Sequence, residues 1–230
     1  MTDIAYKLLT QDQTSYGDCK WGIDKWKETS GEGSLCGHGW LHFYSHPLLA
    51  MLLNPIHANF DLPTLWEAET DGQWLDDRGL RHGVTHARIT RRLALPVITT
   101  AQRVRFAILC ALECAQSDGF RAWAARWLRG EERTYDAAHA AYAAYAALRG
   151  RRDVLANAAN AAAAHAAAAA AAYAALRGWR DVFAATTEER LGGALAAKAA
   201  AHTAELDLIA LAERAIAEEN ALDASKGEKP

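Results

Sequence analysis

The sequence predicts an α+β protein, with a small mixed sheet domain at the N-terminus followed by an Ala-rich, all-helical region. Three observations carry that expectation. Seven of the eight Trp, all four Cys and six of the nine His fall before residue 135. Apolar residues alternate with polar ones before residue 100, but recur every three to four positions after it. Beyond residue 135 Ala dominates, and the phrase Tyr145–Ala156 returns 28 residues later as Tyr173–Ala184. The expected segments are 1–99, a small α+β domain; 100–134, helices packed on it; 135–222, the Ala-rich helical region; and 223–230, a disordered tail.

The elements follow in order. Ile4 to Thr10 alternates weakly and ends in a polar turn, which reads as a strand. Residues 11–34, rich in Gly, Ser, Thr and Asp around Trp21 and Trp26, read as a long irregular loop. Leu35 to Tyr44 contains a strand. Ser45 stands at an N-cap position with Pro47 in the first turn of a short helix, which Asn54-Pro55 ends. Thr64 to Glu69 is a strand followed by a turn at Asp71-Gly72. Val84 to Leu95 alternates again, placing Val84, His86, Arg88, Thr90 and Arg92 on one side. Thr99 or Thr100 caps a helix with an apolar stripe through Val104, Ile108, Ala111 and Leu112, ended by Gly119. A second helix, Phe120 to Leu128, is closed by Gly130. In the Ala-rich stretch Gly192-Gly193 is the clearest break, and a last helix runs from about Ala194 to Asn220.

The net charge of −3 is unevenly spread. Residues 101–180 are rich in Arg and residues 181–230 in acids, which fits two antiparallel segments attracting each other. Those Arg are scattered singly without repeating aromatic platforms, so a nucleic-acid surface is not expected. No apolar window reaches the ~18–20 residues of a membrane span. Met1 to Lys7 lacks the layout of a signal peptide, so the cytoplasm is the expected compartment.

The densest chemistry lies in Cys36-Gly-His38-Gly-Trp40-Leu-His42-Phe-Tyr44-Ser-His46. On a strand its even-numbered members share one face. His38, His42 and His46 could then hold zinc or iron, although the spacing matches no standard ligand motif and structural histidines are the plainer reading. Glu67 and Glu69 point to one face of a strand, a pair that can divide acid and base roles or simply be solvated. Arg88 and Arg92 beside His86, with Trp40 and His42 supplying an aromatic wall, suit a nucleotide-like ligand: stacking for a base, forked donors for phosphate. There is no Gly-x-Gly-x-x-Gly and no P-loop, and no cofactor is expected.

The order of aromatic-His strand, short helix and Glu-x-Glu strand is similar to that of ADP-ribosyltransferases. That resemblance implies His42 as a dinucleotide grip and Glu69 as the group orienting a ribose. The longer text resembles an uncharacterised family of phage and bacterial proteins. It runs from Leu35-Cys-Gly-His-Gly-Trp-Leu-His42 through His46-Pro-Leu-Leu-Ala50 to Asn54-Pro-Ile-His-Ala58. It takes in Leu65-Trp-Glu-Ala-Glu69, Gln102–Ala107 and Trp123–Gly130 as well. The family's members tend to end in Ala-rich tails. The resemblance implies a phage or prophage setting, host cytoplasm, and an accessory role such as counter-defence.

Three functions are therefore expected, the first foremost. The first is a non-enzymatic protein binding a nucleotide-like ligand or a host protein, assembled as a homo-oligomer through its Ala-rich helices. The second is an enzyme acting on a nucleotide through His42 with Glu67 or Glu69. The third is a structural or scaffold component of a virion.

Overall fold

The computed structural model describes residues 3–114, 118–138, 167, 187–202 and 205–227. The chain divides into two compact units, Met1–Pro96 and Val97–Pro230. The first carries antiparallel strands and one short helix, the second helices, so the α+β class holds.

In the first unit the strands are β1 (Asp3–Leu9), β2 (Thr14–Ser15), β3 (Cys19–Lys20), β4 (Lys27–Glu28), β5 (Leu41–Phe43), β6 (Thr64–Asp76) and β7 (His82–Leu93). The main sheet runs β1-β6-β7-β4, with β5 also on β7, while β2 and β3 form a separate hairpin. The short strands β4 and β5 take successive stretches of β7, at Lys27↔Ala87 and Leu41↔Val84. One face is apolar and buried: Ala5, Leu9, Trp21, Leu41, Phe43, Trp66, Ala68, Val84, Ala87 and Ile89 pack together there.

Several sequence expectations are corrected here. Residues 11–34 are not wholly irregular, since three two-residue strands lie within them and Trp21 is only 4% exposed, edge-on to Phe43 at 5.8 Å. Asp71-Gly72 is not a turn. Strand β6 continues through it as a bulge, where Gly72 takes a φ of +83° that L side chains disfavour. The reversal comes at 77–81, closed by Asp77 N–H donating to Arg81 C=O at 2.9 Å. Helix α1 (Pro47–Leu53) is capped by His46 rather than Ser45, the ring Nδ1 accepting from Leu48 N–H at 3.3 Å. A 3-10 turn, Asn54–Ile56, follows it. The buried Asn54 amide then donates to Phe60 C=O and accepts from Phe60 N–H, clamping the 57–60 loop.

In the second unit α2 (Thr100–Cys114) opens with a reciprocal capping box. Gln102 N–H donates to Thr99 Oγ1 at 3.2 Å and Thr99 N–H to Gln102 Oε1 at 2.8 Å. Helix α3 (Asp118–Leu128) buries Phe120, Trp123 and Trp127, and Gly130 closes it at φ +80°. The remaining helices described are α4 (Thr187–Ala201) and α5 (Leu208–Gly227), both packed on α2. Gly192-Gly193 lies inside α4 and is no break. Packing of Ala194, Ala197, Ala200 and Ala201 outweighs a glycine penalty of about 1 kcal/mol per residue. Helix α4 ends at Ala201, residues 205–207 are non-helical, and Asp207 Oδ1 restarts the helix by accepting from Ala210 N–H at 3.0 Å. The tail expected from Asp223 is helical as far as Gly227. Both copies of the repeated phrase, and the assembly expected of them, lie outside the described residues.

Acid–base attraction does join this unit. Arg105 on α2, 2% exposed, donates from Nε to Glu219 at 2.8 Å and from Nη1 to Glu218 at 2.9 Å. Arg133 grips the same Glu219 carboxylate while lying 4.1 Å over the Trp127 ring. Among the described residues no helix is long and apolar enough to cross a membrane.

Candidate functional site

Strand β1 carries the least expected side chain of the first unit. Its core-facing positions are Ala5, Lys7 and Leu9, so an ammonium stands where an aliphatic residue belongs. Lys7 is 6% exposed. Its Nζ donates to His42 C=O at 2.8 Å and sits 4.7 Å from the Trp21 ring and 4.6 Å from the Phe43 ring. The rings favour the charged form, but burial outweighs them. Loss of solvent pushes the Lys7 ammonium down from 10.5 to about 7, with the Cys19 thiol opposing and Lys27 adding to the shift.

Lys7 opens onto a cavity of about 500 Å³ within this unit. Its wall includes Arg81 and the imidazoles His38, His42 and His57, together with the Trp21, Trp40 and Tyr44 rings. None of the residues lining it is Asp or Glu. Beyond the wall, Asp77 stands 3.5 Å from Arg81 Nε, while Arg81 Nη2 donates to the Cys36 sulfur at 2.9 Å. Tyr44 Oη and His57 Nδ1 share a hydrogen bond of 3.1 Å. Burial raises the Tyr44 phenol well above its usual value, so it remains neutral. Burial also lowers His42, and its Nε2 is tied to the Leu35 carbonyl; an oxygen that only accepts fixes the proton on Nε2.

The wall is built by close backbone approach. Gly83 on β7 lies under Leu35 and Trp40, where a Cβ would come within 2.4 Å of Leu35 Cδ1 and 3.1 Å of Trp40 Cβ. Gly39 runs so near Glu32 that a Cβ would stand 2.1 Å from its carbonyl oxygen. These contacts fold residues 34–40 into turns, leaving only Leu41–Phe43 as strand.

That local shape divides the residues expected to act together. Trp40, His38 and His42 line the cavity; His46, Glu67, Glu69, His86, Arg88 and Arg92 do not. His38, His42 and His46 share no strand face: His38 is on an exposed turn and His46 caps α1. Among the described residues no group of three or more His, Cys, Asp or Glu is arranged to hold a metal. The even-residue histidine face is thus corrected, because the chain is extended over three residues only.

The second cluster lies on the outer face of the sheet. Glu69 opposes Arg88 and Glu67 opposes Arg91, while Ala68 opposes Ile89. Thr90 is an extra residue in β7, and this bulge flips the alternation beyond it. Arg92 therefore pairs with the core residue Trp66 and leaves the face that Arg88 occupies, contrary to the expected sharing. Arg88 donates from Nε and Nη2 to Glu69 Oε2 at 2.9 and 2.7 Å and lies 5.0 Å over Trp26, which stacks on His86 at 4.2 Å. The aromatic beside Arg88 is thus Trp26, not Trp40. Arg91 forks onto Glu67 and, as the chief cause, its hydrogen bonds hold that carboxyl below its usual value. Neither glutamate stands with His42. His42 pairs with Gly83 and Glu69 with Arg88, five positions along β7, or about 16 Å at ~3.3 Å per residue. The His42–Glu69 constellation implied by the ADP-ribosyltransferase resemblance is not assembled.

Lys7, Cys19 and His57 were not anticipated from the sequence. The signal for Lys7 was present, as the single polar residue among Ala5, Leu9 and their alternating partners. Comparison with protein-family models, with curated proteins and with solved structures finds no match, so the geometry of the cavity is what bears on function.

Proposed function

We propose that this chain is a non-enzymatic binding protein whose first unit takes up an anionic, nucleotide-like small molecule. The cavity bounded by Lys7, Trp40, His42 and Arg81 is the seat. One observation carries the reading: a lining of Lys, Arg and His with aromatic rings and no carboxylate. An anion entering such a site meets donors on several sides without like-charge repulsion from the wall, while the indole and phenol rings offer stacking surface. The outer cluster suits this role less, since Arg88 is already engaged by Glu69. In the phage setting that the sequence resemblance implies, the protein would withdraw such a ligand from its host and assemble through its Ala-rich region.

Equilibrium dialysis against AMP tests the assignment. Arg81→Ala is expected to weaken retention at least tenfold, and Arg88→Ala to leave it within twofold. The reverse ranking, or no retention by the wild type, overturns it. Ligand recovered after denaturation is expected intact; a chemically altered ligand would favour the enzyme reading.

A further inference from the structure

Lys7 does more in this cavity than a charge alone requires. Anion recognition needs only a cation at the wall, and Arg81 already supplies one. A lysine amine placed on the core face of a strand, between two rings and opening onto a cavity, has the setting of a nucleophile.

We propose that Lys7 captures its ligand covalently, its Nζ condensing with the carbonyl of an anionic aldehyde seated in the cavity to hold it as an imine. The inference rests on the cavity being a ligand site and adds the ligand's chemical class. The neutral amine lone pair forms a bond to the carbonyl carbon, and the carbonyl π pair moves onto oxygen. Protons pass from nitrogen to that oxygen, the C–O bond breaks, and water leaves as the C=N bond forms. Amine plus aldehyde gives imine plus water, with no oxidant or reductant consumed. Every step is reversible, so the adduct is a store and not a dead end.

Four features of the site support this. Burial leaves a large share of the amine unprotonated near neutral pH. The groups acting on it from the surrounding strands are Cys19 on β3, Lys27 on β4, His42 on β5 and His82 on β7; none is a carboxylate that would lock it as an ammonium. The hydrogen bond to His42 C=O holds Nζ without blocking its lone pair, because the amine donates there. The Tyr44–His57 pair on the same wall is a neutral hydroxyl and an imidazole, able to pass a proton to the departing oxygen.

The test uses the full chain and pyridoxal 5′-phosphate, an anionic aromatic aldehyde, followed by borohydride reduction and peptide mapping. One adduct per chain at Lys7 is expected, with a labelling rate half-maximal near pH 7. Lys7→Arg, which keeps the charge, is expected to lose the adduct, as is Lys7→Met, which suits the buried position better. The alcohol analogue pyridoxine 5′-phosphate separates the two readings. If it competes with AMP yet the aldehyde labels only surface lysines, the covalent inference fails and the binding site stands. If neither compound competes with AMP or labels Lys7, both fall. Labelling at Lys7 that becomes half-maximal only above pH 9 also overturns the inference, because such an amine is no different from a solvated one.

Discussion

Lys7 concentrates the energetic tension of the first unit in one side chain. Its value near 7 in the folded protein lies below the 10.5 of the solvated residue, so between these values the unfolded chain binds more protons than the folded one. Stability contributed by this residue is therefore fully present above pH 10.5 and is lost as pH falls through about 7. Lys7→Met removes the burden: denaturant unfolding of the first unit at pH 6 is expected to show a gain on the order of 2 kcal/mol. The gain should shrink steadily toward pH 10. A gain that does not change with pH would mean that Lys7 is not held against its charge. The alternation Ala5-Tyr6-Lys7-Leu8-Leu9 displays this residue in the sequence. What brings Cys19, Lys27 and His42 around it does not appear there, because those contacts join strands whose pairing is set by two- and three-residue segments too short to carry a period.

At the level of elements, a single inserted residue decides which side chains meet. The bulge at Thr90 puts Arg91 opposite Glu67, where unbroken pairing would put Thr90, and sends Arg92 to the other face. Alternation in a sequence is counted residue by residue, so a bulge is invisible to it until the partner strand supplies the register. The strands themselves were legible from Ile4–Thr10, Thr64–Glu69 and Val84–Leu95, whose Ala5, Leu9, Trp66, Ala68, Val84, Ala87 and Ile89 form the buried face, while Ile4 and Leu95 are exposed. The site was legible only in part: Trp40 and His42 line the cavity, but the sequence does not mark Gly83 as the residue that seats them. Gly83→Ala would press Leu35 and Trp40 outward from β7, and it is expected to cost about 1–3 kcal/mol of stability and weaken AMP retention several-fold. Retention unchanged in Gly83→Ala would show that the Trp40 wall is not part of the site.

For the molecule as a whole, the two units are held by different physics and should answer to different conditions. In the second unit burial pushes the Glu219 carboxyl up. Hydrogen bonds from Arg133 and Arg105 together outweigh that and leave it below its usual value. Glu219 thus contributes stability present above its ordinary value of 4.5 and lost as pH falls through its lower folded value. Glu219→Ala strands a buried guanidinium, and a loss of about 3–5 kcal/mol is expected by thermal or denaturant unfolding. Glu219→Gln should flatten the acid limb of the helical transition. Helix dichroism and tryptophan fluorescence recorded together are expected to give two transitions, only the helical one shifting in the Glu219 variants. A single shared transition moved by both Lys7 and Glu219 variants would show one cooperative body.

The Arg105–Glu219 clasp also bears on how such a chain can change its length. Its two halves are 114 residues apart in sequence. The entropy of bridging two distant points grows only with the logarithm of the intervening span. Adding one more 28-residue period between them costs about 0.2 kcal/mol in closure. By closure entropy alone, gain of a copy is thus close to neutral for the two fastened ends.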